Sequence, residues 1–116
     1  MIPNLATMEE RFNVTGKVQG VFFRKSFVYL LAQRGLKGGA TNSSKDRHLV
    51  HCTAIGPEEV CHQLKEDLKK GEKINSMGAK IDSLLDVDHG LEIEEHQAST
   101  LETPNPSLPF GIKVFL

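Results

Sequence analysis

Two stretches of this chain carry apolar residues at helical spacing, and a glycine closes each of them. Phe23, Phe27, Leu30 and Leu31 share one stripe that stops at Gly35. Val60, Leu64 and Leu68 share another, opened by Gly56-Pro57-Glu58 with proline in the first turn and ended by Gly71. Neither helix is apolar all round, so each must lay one side on something else. No third stretch is read as a helix of that kind. The chain is restricted to two helices packed on a small sheet.

The strands are read from alternation. Arg11–Thr15 places Phe12 and Val14 on one face. Lys37–Asn42 is glycine-rich and weak as a strand, "NSSKDR" has turn chemistry, and His48–Ile55 is a further extended run. Ile81–Val87 alternates, with Ile81, Leu85 and Val87 on one face. From Asp88 to Thr103 the chain is acidic and poorly patterned, and "TPNPSLP" then favours an extended connection. Ile112-Lys113-Val114 alternates once more. The order β-α-β-β-α-β with a late extra strand is the split βαβ, or ferredoxin-like, α+β pattern. It predicts a sandwich with two helices on one face of an antiparallel-type sheet and an additional C-terminal strand. The 116 residues suit a single domain, assigned to residues 11–116, with residues 1–10 as an N-terminal tail.

This order hosts many functions, so the site must decide among them. The start "MIPNLATMEE" lacks a signal peptide's apolar core, no stretch is apolar enough for a membrane span, and Cys52 and Cys61 are too few for a disulfide framework. A cytoplasmic monomer is the expectation. The net charge of −1 conceals a division. Between Arg11 and Lys45 there is no acid, and the seven basic residues there give +7, leaving −8 for the rest. A one-signed third of the chain points to an anionic ligand. Nucleotide phosphate loops are excluded, because neither the P-loop pattern nor Gly-x-Gly-x-x-Gly occurs. His48, His51 and Cys52 form a tempting metal cluster, yet on a strand His51 faces away from the other two, and no metal site is expected.

The remaining candidate is "GKVQGVFFRKS", Gly16 to Ser26. It enters the first helix with no Ser, Thr, Asp or Asn where an N-cap belongs. The first N–H groups of a helix need partners, and a glycine-flanked loop can turn them inward as an anion nest at the positive end of the helix dipole. Arg24 at the helix start adds a planar fork suited to phosphate or carboxylate oxygens. A bound oxyanion would then be the missing cap.

"GKVQGVFFR" resembles the signature of the acylphosphatase family, Gly-x-Val-Gln-Gly-Val-x-Phe-Arg, at every specified position. "GLKGGATNSSKD" is similar to the family's Gly-Trp-Val-x-Asn segment and sets Asn42 on its functional asparagine, "IGPEEVCHQLKEDL" resembles its Gly-Pro entry to the second helix, and "FGIKVF" its closing strand. The resemblance implies hydrolysis of acyl phosphates, the mixed carboxylic–phosphoric anhydrides, by a small enzyme without metal or other cofactor. Carried over by position, Arg24 and the main-chain amides of Gln19, Gly20, Val21, Phe22 and Phe23 hold the phosphoryl group, and Asn42 orients the attacking water. Inorganic phosphate or sulfate would compete for the same place. The departures are Gly39-Ala40 in place of Trp-Val, which removes a large apolar anchor, Phe22 inside the cradle, and a longer stretch from Asp88 to Pro109.

Two other readings are carried beside this one. The same cradle could serve a catalytically weak module that binds an anion or a partner protein. A ferredoxin-like domain with a basic third could also bind nucleic acid, although His48–Ile55 has none of the stacking aromatics of an RNA-recognition strand.

Overall fold

The computed structural model describes residues 7–70 and 72–116. The chain forms β1 (Thr7–Lys17), α1 (Phe23–Gln33), β2 (Lys37–Asn42), β3 (Leu49–Pro57), α2 (Glu58–Lys69), β4 (Lys80–Asp86) and a two-residue β5 (Ala98–Ser99). The sheet order is β4-β1-β3-β2-β5, and every pairing is antiparallel. This is the expected ferredoxin-like α+β sandwich.

Both helices cover one face. Alternation brings Phe12 and Val14 of β1, Ala40 of β2, and Val50, Cys52 and Ala54 of β3 to that side, all buried. They meet Phe23, Phe27, Leu30 and Leu31 of α1 and Leu64 and Leu68 of α2. Phe12 is the joint between the two helices. Its ring meets Phe27 edge-on at 5.9 Å, and Lys65 of α2 lies 5.9 Å above it. The closing glycine expected at Gly71 lies outside the described residues.

Three expectations about element limits are corrected. Thr7–Glu10, read as part of a tail, opens β1 and pairs with Ala54–Pro57, while residues 1–6 lie outside the described residues. "TMEE" has no apolar alternation to announce a strand. Glu10 is held there by Lys65, whose ammonium sits 3.1 Å from its carboxylate and 2.6 Å from that of Asp86. In β4, the register on β1 shifts between Thr15 and Gly16, leaving Asp82 as an extra residue. The bulge reverses the alternation, so Leu84 packs against the core and Leu85 is 65% exposed. The late strand expected at Ile112–Val114 is only an isolated bridge between Val114 and Asn75. The fifth strand is Ala98–Ser99, inside the stretch that looked unpatterned, and it pairs with Ala40 and Gly39.

Residues 87–97 cross the other face of the sheet before joining β5. Thr53 of β3 points to that side and is fully buried, its hydroxyl donating to the Leu91 carbonyl at 3.0 Å. Arg11 of β1 reaches the Leu91 carbonyl and the Glu92 carboxylate from the neighbouring strand. Gly39 permits the closest approach. A Cβ there would lie 2.5 Å from the Ala98 carbonyl oxygen and 2.7 Å from His96 Cβ. Gly39 therefore makes room for the crossing segment on the strand that carries Asn42.

Candidate active site

The loop between β1 and α1 alternates its handedness. Gly20 has φ +75° and Phe22 φ +58°, ψ 29°. Glycine takes that region freely, but a phenylalanine there costs about 1–2 kcal/mol and must be held by its surroundings. The holding residue is Asn75, in the loop after α2 and wholly buried. Its Nδ2 donates to the Val21 carbonyl at 2.9 Å and to Ser26 Oγ at 2.8 Å, and its Oδ1 accepts from the N–H groups of Met77 and Ala79. Ser26 Oγ in turn donates to the Phe22 carbonyl. On the opposite side the Gln19 amide donates to the Leu49 carbonyl at 2.9 Å and also reaches those of Asp46 and Ser43. The loop is clamped at both ends.

That clamping leaves donors over. α1 has no side-chain cap, and among the described residues no protein acceptor faces the main-chain N–H groups from Gln19 to Lys25. Beside them opens a cavity of about 370 Å³. Of the residues singled out from sequence, Gly20, Phe22, Phe23, Arg24 and Asn42 all line it, joined by Val18, Lys25, Gln97 and Ala98. Gln19 and Val21 belong to the same loop but send their side chains elsewhere, Gln19 to the β2–β3 turn and Val21 into the core. Phe22 meets Phe110 edge-on, ring centroids 6.0 Å apart, and Phe110 is 87% exposed.

Asn42 closes β2 on the far wall of the cavity. Its Oδ1 is buried and has no hydrogen-bond partner among the described residues. An unpaired buried acceptor costs roughly 1–3 kcal/mol. The turn after Asn42 is made by Ser43, whose hydroxyl accepts from the N–H groups of Lys45 and Asp46. The Asn42 side chain takes no part in it.

Sequence reading missed Gln97 and His96. Gln97 Oε1 accepts from Arg24 Nη1 and from the Asn42 main-chain N–H, both at 2.9 Å. His96, 4% exposed, lies between two threonine hydroxyls, with Nε2 2.7 Å from Thr53 Oγ1 and Nδ1 2.9 Å from Thr41 Oγ1. The Thr53 hydroxyl proton is already given to the Leu91 carbonyl, so Nε2 must donate and Nδ1 must accept. Thr41 Oγ1 completes the chain by accepting from the Gln97 N–H at 2.9 Å. No motif flags either residue, because their partners lie more than 40 positions earlier in the chain.

His96 gives the fold a pH dependence. Burial, then the neighbouring His51 and more weakly Arg11, lower its pKa from 6.5 to about 4, against an opposing pull from Glu95. The unfolded histidine takes up a proton below 6.5 and the folded one only below about 4. Stability contributed here is complete above pH 6.5 and is lost as pH falls towards 4, by up to about 3 kcal/mol. Urea midpoints measured from pH 7.5 to 4.5 should fall steeply in the native chain and less so in His96→Gln. Parallel curves for the two proteins would contradict this.

An α+β sandwich thus brings an uncapped helix start, an arginine at that helix's second residue and an asparagine from the neighbouring strand to one cavity. The chain belongs to the acylphosphatase family, whose model matches residues 10–104. It is 41% identical over 63 residues to an acylphosphatase of Koribacter versatilis (strain Ellin345), an overlap of 54% of this chain and 56% of that one. The match thus spans little more than half the length of that curated relative. Among solved structures, the acylphosphatase from Bacillus subtilis is similar at a TM-score of 0.55 and 26% identity, covering 80% of this chain and 94% of that one. An acylphosphatase from Coxiella burnetii is similar at 0.58 and 26%, covering 79% and 88%.

Proposed function

We propose that this chain hydrolyses acyl phosphates to a carboxylate and inorganic phosphate. The observation that carries the reading is the cavity itself. Gly20, Phe22, Phe23, Arg24 and Asn42 line it together, and the main-chain N–H groups of the loop from Gln19 to Phe23 have no protein acceptor among the described residues. In this reading Arg24 and the amides clamp the phosphoryl oxygens, where charge must be balanced as the bond to the leaving group breaks. Asn42 aligns a water opposite the leaving carboxylate. The water oxygen forms the new bond to phosphorus, the bond from phosphorus to the acyl oxygen breaks, and the carboxylate leaves with that electron pair. The water's proton passes to a phosphate oxygen of the substrate, since no Asp, Glu or His lines the cavity among the described residues. An acyl phosphate already has a good leaving group, so alignment and charge balance suffice.

The sheet face that an RNA-recognition domain leaves open supports this reading over nucleic-acid binding. Here its rows are Arg11–Thr53–Gly39 and Asn13–His51–Thr41, without a phenylalanine, tyrosine or tryptophan, and residues 87–97 lie across it. No helix among the described residues is long and apolar enough to cross a membrane. Two free, buried cysteines suit a reducing compartment, and we place the protein in the cytoplasm as a monomer.

The test is hydrolysis of a simple acyl phosphate in the presence of a chelator, with inorganic phosphate as a competitive inhibitor. Phosphate should also stabilise the fold. At ten times its Kd it adds about 1.4 kcal/mol, raising Tm by roughly 5 °C. A folded protein with neither turnover nor a phosphate-dependent Tm would sink the proposal. A phosphate-dependent Tm without turnover would instead identify an anion-binding module.

A further inference from the structure

Gln97 joins Arg24 to Asn42 across the cavity lining through hydrogen bonds. Its side-chain oxygen accepts from Arg24 Nη1 and from the Asn42 main chain, while its own N–H donates to Thr41. We propose that Gln97 is a positioning residue for acyl phosphate hydrolysis, holding the Arg24 guanidinium against the strand that presents Asn42. The inference rests on the reading of Arg24 and Asn42 given above.

The chemistry of the contact fits the task. An arginine side chain has about 2 kcal/mol of rotamer entropy to lose, and no carboxylate among the described residues pairs with Arg24. A carboxylate would hold the guanidinium but would also neutralise it and repel a phosphate. An amide oxygen fixes its direction without charge. It uses one of the five N–H donors of the guanidinium and leaves the others for a ligand. Gln97 is itself well placed to be a fixed point. The residue before it is buried between Thr41 and Thr53, and the two residues after it pair with Ala40 and Gly39. The main chain is anchored on both sides, and only the exposed side chain reaches to Arg24.

The experiment compares Gln97→Ala, Gln97→Glu and Arg24→Ala with the native chain. It reads kcat/KM on a simple acyl phosphate, inhibition by inorganic phosphate, Tm, and the side-chain Nε–Hε signal of Arg24 by NMR without substrate. In Gln97→Ala the Arg24 signal should broaden or collapse towards the position of a free arginine. Its kcat/KM should fall about 10- to 100-fold, as displacement of an aligned group by an ångström costs. Phosphate inhibition should weaken, and Tm should stay within a degree or two because the lost side chain is exposed. Gln97→Glu should keep the Arg24 signal ordered and yet weaken phosphate inhibition, because its charge competes with the ligand. An unchanged Arg24 signal or undiminished kcat/KM in Gln97→Ala overturns the inference, as does tighter phosphate inhibition. An inactive Arg24→Ala beside a fully active Gln97→Ala removes the role of Gln97 alone. A fully active Arg24→Ala removes the reading of the site and this inference together.

Discussion

Arg24→Ala should lower acyl phosphate hydrolysis by about three orders of magnitude or more, the range lost when a charge-clamping donor set is removed from a phosphoryl or oxyanion site. Phosphate inhibition and the phosphate-dependent rise in Tm should disappear with it, because Arg24 meets charge that is present before and during the reaction. The fold should persist. Arg24 is half-buried, its hydrogen bond runs to the exposed Gln97, and it has no share in the core. Arg24→Lys is the more searching variant. It keeps a positive charge at the helix start but replaces a planar fork with a point charge, and it cannot bind Gln97 and two phosphate oxygens from one rigid plane. A lysine protein that retained most of the native rate would show that charge alone is needed there.

Asn42→Ala should fail differently. The contact between the Asn42 main chain and Gln97 survives the substitution, so the far wall of the cavity stays in place. Phosphate affinity should be nearly unchanged, while turnover falls by about two orders of magnitude or more, the cost of losing alignment of the nucleophile. Stability is the informative control. Were Asn42 a turn residue, its loss would weaken the turn. Ser43 supplies the turn's hydrogen bonds and Asn42 Oδ1 has no protein partner, so Asn42→Ala should be as stable as the native chain or slightly more so. Measuring turnover, phosphate inhibition and Tm on one sample separates the two roles. Normal turnover in a stably folded Asn42→Ala protein would remove Asn42 from the mechanism.

The parts of the site that were legible from sequence are those encoded locally. The missing cap, Gly20 and Arg24 lie within a few residues of one another, and the helix that follows is forced by its own apolar stripe. Asn42 was singled out through the resemblance of "GLKGGATNSSKD" to the family's asparagine segment, which lies in one short run of sequence. The crossing segment was not legible, since it packs on a polar sheet face through hydrogen bonds to Arg11, Thr41 and Thr53, and apolar alternation is no guide to such a surface. For the same reason Gly39-Ala40 read as a lost anchor, when the absent bulk at Gly39 is the space that His96 and Ala98 occupy. The bulge at Asp82 inverted the pattern of β4, and Asn75, which supports the cradle, gave no sign beyond a polar turn. The closing strand failed as an expectation because Phe110 and Gly111, both at positive φ, turn the chain just before Ile112.

The length of chain that closes over the sheet has a kinetic meaning. The hydrogen bonds that hold His96 and Gln97 join residues 43 to 73 positions apart, and β5 adds a ladder only two residues long. The pairing of β2 with β3 spans a short turn, whereas this docking must close a long loop for few contacts. The helices and the four long strands can therefore assemble while residues 87–99 are still detached, with the loop between β1 and α1 formed and Arg24 unheld. Recovery of the core and completion of the cavity become two events in such a chain, and a molecule that counts as folded by its core does not yet hold Arg24 in place.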